Sequence, residues 1–198
     1  MIISLILAHP NKESFNHAIA AKAMEVLNYN GHIVNFHDLH KEGFDPILPY
    51  EEFLKDSCVA PAIKKHCEEI SVADGIIIVH PNWWGQPPAI LKGWVDRVIR
   101  PGIAYEFNEG DEGEGIPKGL LKADSAIVFN TSNTESKREA KMFGDPLETI
   151  WKNCIFGLCG VDKFYRNMFN IIAVSNDEQR RAWLNNVEEM INDIFPKG

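Results

Sequence analysis

The 198-residue sequence predicts an α/β protein built on a doubly wound, five-stranded parallel sheet with helices on both faces. Three observations carry that expectation. Continuous apolar runs, "IISLILA" at 2–8, "GIIIVH" at 75–80 and "SAIVFNT" at 125–131, lack the in-and-out alternation of a half-solvated strand, so they need cover on both faces. Segments of helical spacing separate them. The composition, 45% apolar and 24% charged with a net charge of −8, is that of an ordinary globular chain and carries no basic footprint for nucleic acid.

The elements follow in order. The first run starts almost at residue 1 without the basic residues of a signal peptide, and no run approaches the roughly 18 apolar residues of a membrane span, so a cytoplasmic protein without membrane insertion is expected. After a polar loop, "SFNHAIAAKAMEVLNYNG" reads as a helix, with Ser14 as N-cap and Gly31 as its stop. "HIVNFHDL" is the second strand, "APAIKKHCEEISVAD" a helix and "GIIIVH" the third strand. "PPAILKGWVDRVI" makes the next helix, with Pro88 near its first turn, where a missing N–H costs least. "SAIVFNT" is the fourth strand, "PLETIWKNCIFGLCG" a helix ending at Gly160, "DKFYRNMFNI" the fifth strand and "NDEQRRAWLNNVEEMINDIF" a terminal amphipathic helix. Residues 101 to 123, rich in glycine and charge and including the acidic "NEGDEGEG", form an inserted excursion within a single domain spanning 1–198. Trp94 and Trp151 sit on helical faces and read as core.

A flavodoxin-like strand order is the expected one, and in it ligands bind beyond the carboxyl ends of the strands. Three loops then matter. The first, "HPNKESFNHA", lacks a glycine-rich dinucleotide fingerprint but opens a helix at Ser14, Phe15 and Asn16, where free N–H groups suit a phosphate as well as they suit a plain cap. The loop "NTSNTES" offers hydroxyls and amides that grip a ring edge or simply make a turn. The middle loop, "HPNWWGQPP", places Trp83 and Trp84 on a Pro- and Gly-punctuated turn where apolar bulk is usually exposed.

"AHPNKESFNHA" together with "PNWWGQPPAILKGWVDRV" resembles the NAD(P)H:quinone oxidoreductase family, the DT-diaphorase-like branch of the flavodoxin fold, over most of the chain. The resemblance implies a flavin. By matching position, His9, Ser14, Phe15, Asn16 and Ala18 would wrap its phosphate and ribityl chain, Pro81, Asn82, Trp83 and Trp84 would lie along the isoalloxazine, and Thr131, Ser132, Asn133 and Thr134 would hold its pyrimidine side. An apolar residue after the fifth strand and an Arg opening the last helix serve the adenylate half of FAD in the family. The matching residues here are Ile172 and Arg180, so FAD is expected, with FMN as the alternative. The implied activity is hydride transfer from NAD(P)H through the flavin to a quinone or similar flat acceptor, in ping-pong order. Competing classes are a flavin-binding ancillary subunit of a potassium efflux system and an electron carrier.

The sequence also departs from that family. A Tyr and a His credited with stabilising the reduced flavin have no counterpart in "ESKREAKMFGDPLETIW", where Lys137 and Arg138 are a basic pair that suits charge near a reduced flavin or plain solvated surface. A homodimer with its active site at the interface is implied, with the apolar surplus of Ile90, Leu91, Trp94, Val95, Val98 and Ile99 as a second contact, unless the 101–123 excursion covers that surface. His17, His32, His37, His40 and His66 share no spacing with Cys or carboxylates, so no metal site is expected, and His80 reads as a satisfied polar strand terminus. Cys58, Cys67, Cys154 and Cys159 read as free thiols.

Overall fold

The first apolar run does not alternate because it is enclosed on all sides. In the computed structural model, which describes residues 1–53, 59–108, 110–111 and 114–198, strand β1 (Ile2–Leu7) pairs in parallel on both edges and carries a helical layer on each face. Cys58 and parts of the acidic stretch lie outside the described residues. After β1 come α1 (Phe15–Tyr29), β2 (Ile33–Asp38), α2 (Pro61–Val72), β3 (Gly75–Pro81) and α3 (Ala89–Val98). The short strands β4 (Tyr105–Glu106) and β5 (Lys118–Gly119) lead to β6 (Ser125–Ser132), the short turns α4 (Ser136–Arg138) and α5 (Pro146–Thr149), β7 (Lys163–Asn170) and α6 (Asp177–Ile194). The five long strands run parallel in the order β2-β1-β3-β6-β7, which is the flavodoxin-like arrangement.

Side chains of the central strands divide strictly by parity. Ile6, Ile76, Ile78, Ala126 and Val128 pack against α2, α3 and Trp151, whereas Ile3, Leu5, Ile77, Val79, Ile127 and Phe129 pack against α1 and α6. Trp94 and Trp151 are core residues, as expected from their helical positions. Caps fix the helix starts: the Ser14 hydroxyl accepts from His17 N, and Asn176 forms a reciprocal capping box with Gln179 at the head of α6. At the amino ends of the strands the two chain ends meet. Ile33 N–H donates to Met1 O (2.9 Å), and His32 Nε2 lies 3.0 Å from Phe195 O.

Three features differ from the sequence expectation. Residues 146–160 are not one α-helix: a single turn, α5, opens into a wide π-helical stretch over Ile150–Gly157, and another π-helical turn covers Glu139–Phe143. A search at 3.6 residues per turn does not register a wider coil. Second, a strap before α2 includes a 3₁₀ turn at Tyr50–Phe53 and crosses α3 closely enough that a Cβ on Gly93 would fall 2.2 Å from Pro46 O. Arg97 anchors this strap through Glu52 (2.5 Å) and the carbonyl of Asp45 (2.7 Å). Third, the apolar surplus on α3 is used within the chain. Leu91, Trp94, Val95 and Val98 are buried, Ile90 and Ile99 pack on the same core, and Tyr105, Phe107 and Pro117 of the excursion line a small cavity with Val95 and Ile99. Much of the apolar surplus on α3 is thus occupied within the chain, with Ile90 and Ile99 left partly buried.

Candidate functional site

The middle loop folds into a tight turn. Trp83 N–H donates to Gln86 O (3.1 Å) and Gln86 N–H returns to Trp83 O (3.0 Å), with positive φ at both central residues, Trp84 (59°) and Gly85 (70°). That is the type I′ pattern, in which a tryptophan is strained and a glycine is at ease. Three tethers hold it. Asn82 N–H donates to Thr131 O on β6 (2.6 Å), Asn82 Oδ1 accepts from Gly85 N (2.9 Å), and Asn82 Nδ2 donates to Glu139 Oε1 (3.0 Å). A Cβ on Gly85 would also come within 2.8 Å of Pro146, so the turn seats on α5. Trp84 itself is wholly exposed at 101%.

This turn walls a cavity of about 710 Å³ at the carboxyl ends of β1, β3 and β6. The structure brings to it His9, Ser14, Phe15 and Asn16 from the first loop, Pro81, Asn82, Trp83 and Trp84 from the second, Thr131 to Thr134 from the third, and Ile172 and Arg180 from the far end. Ala18 is the exception. It lines a neighbouring groove of about 620 Å³ with His17, Asp38 and Met24, which Glu13 and Ser14 also border. Of the two basic residues singled out in sequence, Arg138 lines the cavity and Lys137 does not. The lining also includes Glu13, Gly85, Glu139, Phe143 and Pro146, which sequence reading did not single out. Only Gly85 carried a sequence signal, as the natural partner of a two-residue turn.

The polar chemistry of the lining is incomplete. Asn16 is buried and its Nδ2 donates to Thr131 Oγ1 (2.9 Å), but its Oδ1 has no donor. A buried acceptor left without a donor costs roughly 1–3 kcal/mol, so this atom suits a ligand hydroxyl. Arg180 lies over the Phe15 ring (5.9 Å) and donates to Ser175 Oγ (2.9 Å), with no carboxylate partner among the described residues. His9 sits 6.1 Å from the Trp83 ring. Burial lowers its pKa, against the raising effect of its backbone hydrogen bond with Asn11.

Below the cavity, Trp151 Nε1 donates to His80 Nε2 (3.0 Å), so the imidazole proton sits on Nδ1 and is donated to Pro81 O (2.8 Å). Burial pushes its pKa down to about 4, so His80 is a satisfied neutral terminus of β3. Away from the cavity, the fold gathers residues that sequence spacing did not connect. His37, Glu42 and His66 bring their ligand atoms within 4.8 Å of one another. Trp94 donates to His66 Nδ1 (3.1 Å), which leaves the neutral ring's proton on Nε2 facing Glu42 (3.3 Å). That pattern makes a hydrogen-bonded clamp between β2, α2 and α3 rather than a set of free donor atoms. Burial, reinforced by the neighbouring His37, takes the His66 pKa down to about 3. Cys67, Cys154 and Cys159 are free thiols. Among the described residues no helix is long and apolar enough to cross a membrane.

Several known proteins are similar to this chain in sequence or in fold. An uncharacterised NAD(P)H oxidoreductase of Haemophilus influenzae is 35% identical over 187 residues, covering 91% of this chain and 89% of its own. A guinea pig NAD(P)H dehydrogenase [quinone] 1 is 36% identical over 168 residues, covering 74% of this chain and 59% of the longer relative. Among solved structures, an NAD(P)H:quinone oxidoreductase from Methanothermobacter marburgensis superposes with a TM-score of 0.84 at 24% identity, covering 98% of this chain and 96% of that one. An FMN-dependent NADH-azoreductase of Bacillus anthracis, solved with FMN, gives a TM-score of 0.78 at 14% identity and shares the fold, covering 98% of this chain and 99% of that one. Residues 1–191 match a sequence family described as flavodoxin-like fold; with the parallel strand order and the cavity at its carboxyl edge, the chain belongs to that family.

Proposed function

We propose that this chain is a flavin-dependent NAD(P)H oxidoreductase that passes a hydride from the nicotinamide to a quinone or similar flat acceptor. The observation that carries the reading is the single cavity that joins an aromatic turn, a helix N-terminus and an unsatisfied buried acceptor. Each suits one part of a flavin. The first turn of α1, entered at Ser14, offers N–H groups to a phosphate. Asn16 Oδ1 can accept from a ribityl hydroxyl, Trp83 and Trp84 supply apolar walls for a planar ring, and Thr131 to Thr134 present polar groups to its heteroatom edge.

When bound, the flavin supplies the redox chemistry: it accepts a hydride and later gives it up. The chain's residues hold and orient the reacting partners. If donor and acceptor use this one cavity beside the ring, they would occupy it in turn, and the expected kinetics are ping-pong. Relatives named for NAD(P)H oxidation and for quinone reduction support both halves of the reaction.

FAD is the cofactor we favour over FMN. Ile172 and Arg180 line the same cavity as Ser14, and a guanidinium without a carboxylate partner suits a second phosphate. A homodimer closing the cavity is supported by Trp84 and Phe143, which line the cavity mouth while exposed to solvent (101% and 54%). The test is to release and identify the flavin of the purified protein, then follow NADH and NADPH oxidation with a quinone present. Failure to bind added FAD or FMN would overturn the reading. Sedimentation of the active species tests the dimer, and a monomer with full quinone reductase activity would rule out a shared pocket.

A further inference from the structure

Quinone reduction needs a proton as well as a hydride, and the cavity contains one buried carboxylate placed to supply it. Glu139 is 2% exposed, sits at the start of a π-helical turn and lines the cavity beside the aromatic turn. Wide turns of this kind displace one residue from the regular helical path and recur at functional sites. The structure gives the carboxylate a single hydrogen-bond partner: Oε1 accepts from Asn82 Nδ2 (3.0 Å), which leaves Oε2 with no partner and no paired cation among the described residues. A cavity-lining carboxylate with one oxygen committed to a tether and the other uncommitted is placed to carry a proton to a bound acceptor.

We propose that Glu139 is the proton-delivering catalytic residue of this pocket, a reading that rests on the flavin oxidoreductase function above. Glu139 Oε2 takes a proton from solvent when a hydride equivalent, and with it negative charge, has entered the cavity from NAD(P)H. It then donates that proton to one oxygen of the quinone while the hydride reaches the other, and returns to the carboxylate. The balance is NAD(P)H plus one proton plus quinone, giving NAD(P)⁺ and hydroquinone. The other titratable or charged groups lining the cavity are His9, whose pKa burial lowers, Glu13, exposed on the first loop, and the guanidinium groups of Arg138 and Arg180. The turn at 82–85 and the loop at 131–134 contribute no titratable side chain.

The experiment compares a soluble p-quinone with ferricyanide as acceptor, because ferricyanide takes electrons singly and no proton. Glu139→Gln keeps an acceptor for Asn82 Nδ2 but delivers no proton. The expected result is a fall of at least tenfold in the ratio of quinone to ferricyanide turnover, in line with the roughly 10²–10⁴-fold that general acid catalysis contributes. Glu139→Asp should recover part of that ratio. Without turnover, the midpoint potential of the flavin-loaded protein should lose one proton from its dependence on pH in Glu139→Gln. An unchanged ratio with an unchanged pH dependence would overturn the proposal. Equal losses for both acceptors together with weaker flavin binding would also overturn it, leaving Glu139 as a tether of the turn alone. A wild-type protein that binds no flavin, or whose flavin NAD(P)H does not reduce, fails the earlier reading instead.

Discussion

Replacing Trp84 by asparagine should stabilise the protein without cofactor and weaken flavin binding at the same time. The backbone at Trp84 has φ of 59°, and holding an L side chain in the left-handed region costs roughly 1–2 kcal/mol. Asparagine tolerates that region and, followed by Gly85, forms the preferred pair of a type I′ turn. The indole is 101% exposed, so its removal forfeits no core packing. The net gain should be about 1 kcal/mol, or about 2–4 °C in Tm for a chain of this length. If the indole covers roughly 80 Å² of the flavin ring, less than half of what a buried aromatic hides, its loss costs about 2 kcal/mol and weakens Kd about 30-fold. Calorimetry on the cofactor-free protein measures the first quantity and quenching of flavin fluorescence the second. A loss of about 3–5 kcal/mol in the cofactor-free variant, as for a truncated core aromatic, would refute the reasoning, as would an unmoved Kd.

Other outcomes follow from specific contacts. Burial takes the pKa values of His80 and His66 from 6.5 to about 4 and about 3, so their neutral forms are favoured on folding. Stability should be intact above pH 6.5 and decline as pH falls toward those folded values; the His80 gap alone corresponds to about 3 kcal/mol. Urea midpoints across that range check the decline, and His66→Gln, which keeps an acceptor for Trp94 and a donor for Glu42, should flatten it. Arg180→Ala should weaken FAD at least tenfold and FMN less than twofold in parallel titrations; equal effects would remove the assignment of Arg180 to an adenylate half. Gly93→Ala should cost about 2 kcal/mol or more, because the new methyl meets the Pro46 backbone, and should expose the 44–53 strap to limited proteolysis. A cost below about 0.5 kcal/mol would mean that the strap moves freely.

The strands were legible because burial on both faces leaves an unbroken apolar run, and Ile76 to Val79 show that run serving two cores by parity. Parallel strands put their carboxyl ends at one edge, so the three loops that form the cavity followed from the fold. Ser14 borders both the cavity and the neighbouring groove while Ala18, one turn further along α1, borders only the groove, a distinction that a motif read as a string does not carry. Glu139 and Phe143 went unread because the π-helical turn that aims them has no periodic signature, and a lone Glu in "ESKREAKMF" looks like one more solvated charge. The His37, Glu42 and His66 clamp was hidden for another reason: its members belong to β2, the turn after it and α2, and only packing brings them within reach.

The meeting of Met1 and Phe195 around His32 and Ile33 has a practical consequence. Both chain ends emerge at the amino edge of the sheet, opposite the cavity. A tag on either end should tether the protein to a sensor surface with its pocket facing solution, so binding of flavin or acceptor can be followed without a steric shadow from the support. The same proximity allows the two ends to be spliced by a short flexible linker and new ends to be opened elsewhere. Such a rearranged chain would report whether β1 must be made first for the sheet to assemble.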